Sequence, residues 1–315
     1  MKSVRQQGIA LVSVMAAIAI ITAILSAMSY KQHIDIGIQG YAIQKNKAIL
    51  SVLSVENLAM AMILNQDEDD DSKQYDYYDE SWATPVEDLE FDGSKVKFII
   101  FDAQAQFNVN NLNIRGNNRR HAIEILRNIF ASLNLGDNKI YSEVANWLRP
   151  DGDIKSKDRL YLADSDYFDK YRFSNAPMVS INELRLMVSL REREGLEDIL
   201  VQANDYMSFL PTIDELVKIN VNTANDEMLQ SVVKYFGSAE QFITISAGRP
   251  YANINSFCRL MKKNRNVCSR FFDVKSSYFY VHSLIDIGDN KVYAKSLLMI
   301  SKDDTKVMLR ELKVI

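Results

Sequence analysis

This sequence is poor in the residues that usually announce chemistry: three histidines, two cysteines and eleven glycines in 315 residues. His33, His121 and His282 are scattered, so there is no His-Glu-x-x-His metal pair, and neither a Gly-x-Ser-x-Gly elbow nor a glycine-rich phosphate loop occurs. Without a convergent acid, base and stabiliser, the chain is not read as an enzyme. Cys258 and Cys268 lack the second Cys or His pair that a structural zinc site needs. Excess base is missing too: 37 Lys and Arg against 41 acids leave a net charge of −4, which argues against a protein that coats nucleic acid. What remains is an ordinary globular balance, 47% hydrophobic and 25% charged.

Charge is also absent from residues 9–28, and that absence sets the address. Twenty uncharged residues make a helix about 30 Å long, the thickness of a hydrocarbon core. Lys2 and Arg5 precede it, while Lys31, His33 and Asp35 open a long polar domain, so the basic end is expected in the cytoplasm and the bulk is exported. A secretory signal has a shorter apolar core followed by a small-x-small site; Ser26 and Met28 keep that alternative open. Ala10, Ala16, Ala17, Ala19, Ala23 and Ala27 supply the small residues through which membrane helices pack.

Residues 35–64 continue with a roughly helical apolar period and predict an amphipathic stalk ending near Asn65. Residues 66–80 hold eight acids and read as a solvated loop. A hairpin is expected of residues 94–101 and 104–109 around Asp102-Ala103, and a three-stranded meander of residues 278–287, 291–301 and 306–314. Between them helices are expected at 121–133, 141–148, 181–188, 226–235 and 254–261, with Ser180 and Glu183 as a capping box and Asn225 as a cap.

Several ordered segments carry a family likeness. Gln6-Gln7-Gly8-Ile9-Ala10-Leu11 resembles the leader junction of type IV prepilins and pseudopilins. Phe101-Asp102 with Phe107-Asn108-Val109-Asn110-Asn111-Leu112 is similar to a strand exit, D-x-x-G-R-F-N-L-N-N-L, from which Gln104-Ala105-Gln106 depart. Asn146-Trp147-Leu148 with Asp151, Asp158, Tyr161 and Leu162, then Pro177 to Leu184, then Leu210-Pro211, then Ile219-Asn220-Val221-Asn222-Thr223-Ala224, follow the same order as in general secretion pathway protein K. The chain therefore resembles the K-type minor pseudopilins of type II secretion. Ser13 stands where most pilins carry Glu, a departure that suits a subunit with no neighbour above it.

The resemblance implies an α+β fold: a pilin-like long N-terminal helix packed on an antiparallel sheet, with a large α-helical insertion domain. Residues 1–8 are a leader removed by prepilin peptidase between Gly8 and Ile9, with methylation of Ile9; 9–65 are the membrane and stalk helix. Residues 66–109 hold the acidic loop and hairpin, 110–275 the insertion and 276–315 the meander. It also implies a single-pass inner-membrane protein with its bulk in the periplasm, capping a pseudopilus tip with I-type and J-type partners above the major pseudopilin. Capping would initiate assembly, limit length and so support export across the outer membrane. Family members bind calcium, for which Asp151, Asp153 and Asp158 are the candidates, against a reading as solvated surface acids; Asn146, Arg149 and Lys157 depart from the family's acids. In an exported domain Cys258 and Cys268 are expected to form a disulfide, with two small buried thiols as the alternative. A type IV minor pilin and a membrane-anchored helix-hairpin-helix DNA receptor are the competing functions; residues 219–224 followed by helices resemble the latter, whereas Phe236-Gly237-Ser238 and Ala247-Gly248-Arg249-Pro250 offer one glycine each without the tight paired spacing its phosphate-binding hairpin needs.

Overall fold

The computed structural model describes residues 3–64, 75–114, 116–136, 138–148, 174, 176–191, 193–212, 215–237, 239–288, 290–301 and 304–314, with side chains from residue 10 onward except at 138, 139, 239 and 240. The chain opens with one unbroken helix, α1 (Ser3–Leu64), of 62 residues. At 1.5 Å per residue it is about 90 Å long. Residues 10–43 are exposed; burial starts at Ala48 and follows Val52, Val55 and Ala59, a spacing of four, three and four that lays one stripe on a neighbour.

That neighbour is a five-stranded antiparallel sheet of order β1-β2-β7-β8-β9, built from β1 (Val86–Phe91), β2 (Ser94–Asp102), β7 (Tyr278–Ile287), β8 (Asn290–Ile300) and β9 (Thr305–Val314). Strict alternation in β2 and β7 puts Val96, Phe98, Ile100, Phe279, Val281 and Ile285 on the helix side. Trp82 closes this core, 1% exposed, its ring edge-on to Phe279 at 5.3 Å and its Nε1 donating to Glu80 Oε2 at 2.7 Å.

The meander forms as expected, and the early strands join its sheet. The hairpin, however, is not between residues 94–101 and 104–109. It pairs β1 with β2 across Asp92-Gly93, whose positive φ values of 47° and 74° make the tight two-residue turn that matches sheet twist. Beyond β2, the Asp102 carboxylate accepts from the Gln104 N–H at 2.7 Å, which turns the chain into a 3₁₀ segment and out of the sheet. Residues 107–108 then form β3 (Phe107–Asn108), parallel to β4 (Met207–Ser208).

The intervening chain is a second, helical core. Its helices are α2 (Asn117–Ser132), α3 (Asn138–Trp147), α4 (Val188–Arg191), α5 (Leu196–Ala203), α6 (Asp226–Phe236), α7 (Ala239–Ala247), α8 (Ile254–Cys258) and α9 (Arg265–Phe271), with β5 (Ile219–Asn220) parallel to β6 (Phe272–Asp273). In α2, Ala122, Ile125, Leu126, Ile129 and Phe130 form a helical stripe against the matching stripe of α6, Met228, Leu229, Val232, Val233 and Phe236. The helix expected over 181–188 divides: Ile181–Leu186 is 3₁₀, buried Met187 is extended, and α4 restarts beyond it. Glu143 causes the restart, because its carboxylate accepts both the Ser189 N–H at 3.1 Å and the Ser189 hydroxyl at 2.6 Å. Likewise the helix expected over 254–261 stops at Cys258.

The helical core joins the sheet at one end. Gln44 Oε1 of α1 accepts from Asn290 Nδ2 at the start of β8, and Glu56 meets Ser296 farther along, so α1 and β8 run in the same direction. The exits at Asp102 and Tyr278 lie beside the far end of β8, since Tyr278 is in register with Met299. The helical core is therefore attached at the end of the sheet away from the apolar segment of α1.

Candidate functional site

Three features separate this molecule from a simple packed domain: the bare part of α1, a charged clamp that fixes α1 to the sheet, and a polar seam that runs from the sheet end at Asp102 into the helical core.

Residues 10–28 of the bare part of α1 carry no charge and are mostly apolar. Leu11, Val12, Met15, Ile18, Ile21 and Leu25 are each more than half exposed. Ala16, Ala19, Ala23 and Ala27, at spacings of three and four, share one face where a neighbouring helix can approach closely. The hydroxyls within it turn inward: Ser13 donates to the Ala10 carbonyl at 2.9 Å, and Thr22 to those of Ile18 and Ala19 at 2.9 Å. A segment so satisfied suits hydrocarbon. Among the described residues this is the one helix long and apolar enough to cross a membrane.

The clamp was not visible in the sequence. Glu56 lies within the buried stripe of α1, 2% exposed, and its carboxylate accepts from Ser296 Oγ at 2.6 Å and from Arg310 Nε at 2.7 Å, with a second guanidinium bond to Oε2. The Glu56 carboxylate in turn holds the Arg310 guanidinium above its ordinary pKa. One side chain thus ties α1 to β8 and to the edge strand β9. An acid interrupting an apolar stripe was its only signal.

The seam is built by the asparagines of the likeness motifs. Asn108 Oδ1 accepts from the Leu210 N–H while its Nδ2 donates to the Leu210 carbonyl, both at 3.0 Å. Asn110 makes the same pair of bonds to Met178, at 2.9 and 2.8 Å, Asn111 to Val217, at 3.0 and 2.8 Å, and Asn222 to Tyr251, at 2.8 and 3.1 Å. Each amide meets the N–H and C=O of one residue with its own oxygen and nitrogen, as a strand backbone does, so each holds a stretch of loop without a ladder. At the centre, buried Asp102 accepts from Asn220 Nδ2 at 3.0 Å, Thr223 Oγ1 at 2.5 Å and Ser276 Oγ at 2.6 Å. Burial pushes its carboxyl above the ordinary range, and these donors pull it back. Asp76 sits beside it, accepting from the Ser276 N–H at 2.5 Å. Burial and the Asp102 and Glu80 carboxyls raise Asp76 from 3.8 to about 7.

Gly8 and Ile9 lie on the backbone of α1. Asp151, Asp153 and Asp158 lie outside the described residues; among those described, no three His, Cys, Asp or Glu stand together as a metal site. Cys258 and Cys268 are joined in a disulfide within the helical core. His33 is exposed on α1, His121 bonds the Tyr235 hydroxyl, and His282 packs edge-on to Phe101 at 5.0 Å, so the three are not brought together. Arg249 of the suggested DNA hairpin turns inward, donating to the Ala224 carbonyl at 2.6 Å and pairing with Asp226.

Comparison with known proteins follows the same segments. Residues 105–194 match the family described as type II secretion system protein K. The type II secretion system protein K of Pseudomonas aeruginosa is 25% identical over 98% of this chain and 93% of its own length. That of Klebsiella pneumoniae is 25% identical over 93% of this chain and 92% of its own. Among solved structures, one in the GspK-GspI-GspJ complex of the enterotoxigenic Escherichia coli type 2 secretion system superposes with a TM-score of 0.64, at 17% identity, covering 85% of this chain and 96% of that one.

Proposed function

We propose that this chain, which is similar to type II secretion system K proteins over nearly its whole length, is a minor pseudopilin that caps the tip of a pseudopilus, starting assembly and limiting length. The observation that carries this reading is the attachment of the helical core at the end of the sheet away from the apolar segment. With residues 9–28 in the inner membrane and the bulk in the periplasm, that mass stands where a next subunit would be added. Apolar residues of α1 pack with the helices of the I-type and J-type minor pseudopilins and of the major pseudopilin below. The E. coli neighbour comes from a GspK-GspI-GspJ complex, and that association supports the first two partners. Prepilin peptidase cleaves between Gly8 and Ile9, and Ile9 is methylated.

Replacing Gly8 by Leu is the test. The expected result is a chain that keeps residues 1–8, seen by intact mass, together with loss of secretion; a variant that is shortened normally and still secretes would sink the reading. Capping also predicts longer pseudopili when the chain is scarce and fewer when it is abundant. Calcium at Asp151, Asp153 and Asp158 belongs to this proposal; the expected result is a higher Tm in calcium than in chelator, lost in Asp153→Asn.

A further inference from the structure

A short strap crosses the junction of the two cores. Residues 75–80 lie between α1 and β1 in the chain, and their contacts divide between the cores. On one side the Asp76 N–H donates to the Val274 carbonyl at 2.8 Å, the Ser276 N–H donates back to Asp76 Oδ2, and the Tyr78 hydroxyl donates to the Thr223 carbonyl at 2.7 Å. On the other, Glu80 is 8% exposed and accepts from the indole of Trp82, which belongs to the sheet core. The strap is therefore a non-covalent tie from the sheet core to Thr223 and to residues 274–276, where the chain leaves the helical core.

The tie is built around two acids bridged by shared donors. Ser276 gives its N–H to Asp76 and its hydroxyl to Asp102, and Asn220 Nδ2 reaches both the Asp102 carboxylate and the Asp76 carbonyl. The carboxyls themselves are served unequally. Asp102 receives donors from Gln104, Asn220, Thr223 and Ser276, of which the Gln104 N–H and the Asn220 amide nitrogen can only donate. Among the described residues Asp76 receives the Ser276 N–H alone. Bonds donated to a carboxylate favour its charged form, so of the pair Asp102 holds the charge and Asp76 the proton. The facing groups agree: the Asp102 and Glu80 carboxyls oppose a charge on Asp76, while Lys275, on the return to β7, favours one. Lys218 is engaged by Asp273 and Arg249 by Asp226, and Tyr75, Tyr77 and Tyr78 are the titratable neighbours within the strap.

We infer that the strap is a proton-operated latch between the cores: with Asp76 protonated it lies closed on Ser276, and ionisation of Asp76 beside Asp102 releases residues 75–78 and loosens the helical core from the sheet. Once released, the carboxyl returns to its ordinary value of 3.8, whereas the closed form keeps its proton up to about 7. The closed form is thus most favoured below about pH 4, and the open fraction rises about 10-fold per pH unit from there to about pH 7, then levels.

The test is amide hydrogen exchange on the full chain in detergent micelles from about pH 4 to about pH 9, each rate being compared with that of the same amide in an unstructured chain. The expected result is that protection of the Asp76 and Ser276 amides falls about 10-fold per pH unit up to about pH 7 and is level above it, while the paired amides of β7 and β8 do not fall with them. Asp76→Asn keeps an acceptor for Ser276 without a charge and should hold the protection level across the range. Tyr78→Phe removes one anchor and leaves the acid, so it should lower protection by the same factor at every pH. Strap protection that does not change with pH, or that falls equally in Asp76→Asn, overturns the proposal. So does a fall shared in equal measure by β7 and β8, which would be unfolding of the whole molecule and not the opening of a latch.

Discussion

At the scale of single residues, the asparagines of the seam do work that their polarity alone does not suggest. Asn110 is 1% exposed and joins Met178 and Leu210 to the strand exit. Asn110→Ala leaves the buried Met178 N–H and carbonyl without that partner, while the Leu210 carbonyl keeps Asn108; we expect a loss of about 2–4 kcal/mol in denaturant unfolding, against about half that for Asn111→Ala, whose partner backbone at Val217 is only part-buried. Asp76 gives a pH signature. Its folded pKa of about 7 lies above the ordinary 3.8, so its favourable contribution is fully present below about pH 4 and is lost as pH rises to about 7. At about 1.4 kcal/mol per unit the upper bound is about 4 kcal/mol. Asp76→Asn should flatten the fall in Tm between pH 4 and 7; an unchanged slope would place the effect elsewhere.

At the scale of elements, the Glu56 clamp decides how firmly α1 holds the sheet. Arg310→Met leaves the carboxylate buried with Ser296 alone, and we expect about 2–3 kcal/mol of destabilisation, with faster amide exchange in β9 than in β7. Glu56→Met with Arg310→Met should recover much of that loss, because both charges leave together. The elements themselves were unevenly legible. The meander strands and α6 show in the sequence because alternation, the Gly288 turn and the Asn225 cap all agree. The first hairpin did not, because β1 carries Glu87, Asp88 and Glu90 and looks like more of the acidic loop, although Asp92-Gly93 marked its turn. The split at Met187 was hidden because it depends on Glu143, more than forty residues away. The clamp and the Asp102 hub were hidden for the same reason: their partners are brought together only by the finished sheet.

At the scale of the whole molecule, the disulfide belongs to the helical core, with Cys258 and Cys268 buried at 6% and 0% exposure. Cys258→Ser with Cys268→Ser should cost roughly 2–3 kcal/mol and lower the unfolding transition of the helical core while the sheet and α1 keep theirs. If both cores melted together by the same amount, the seam would have to be rigid enough to make one cooperative unit. The strand order has a further consequence. β2 and β7 are antiparallel neighbours with Asp102 opposite Phe279, so the sheet follows β1, β2, β7, β8 and β9 in the order of the chain. In topology, the entire helical core occupies the place of a hairpin loop. Its length is then almost free to vary, since closing a longer loop between fixed strand ends costs little more than closing a short one. A chain with residues 103–278 replaced by Asn-Gly would be an uninterrupted five-stranded meander on the same helix.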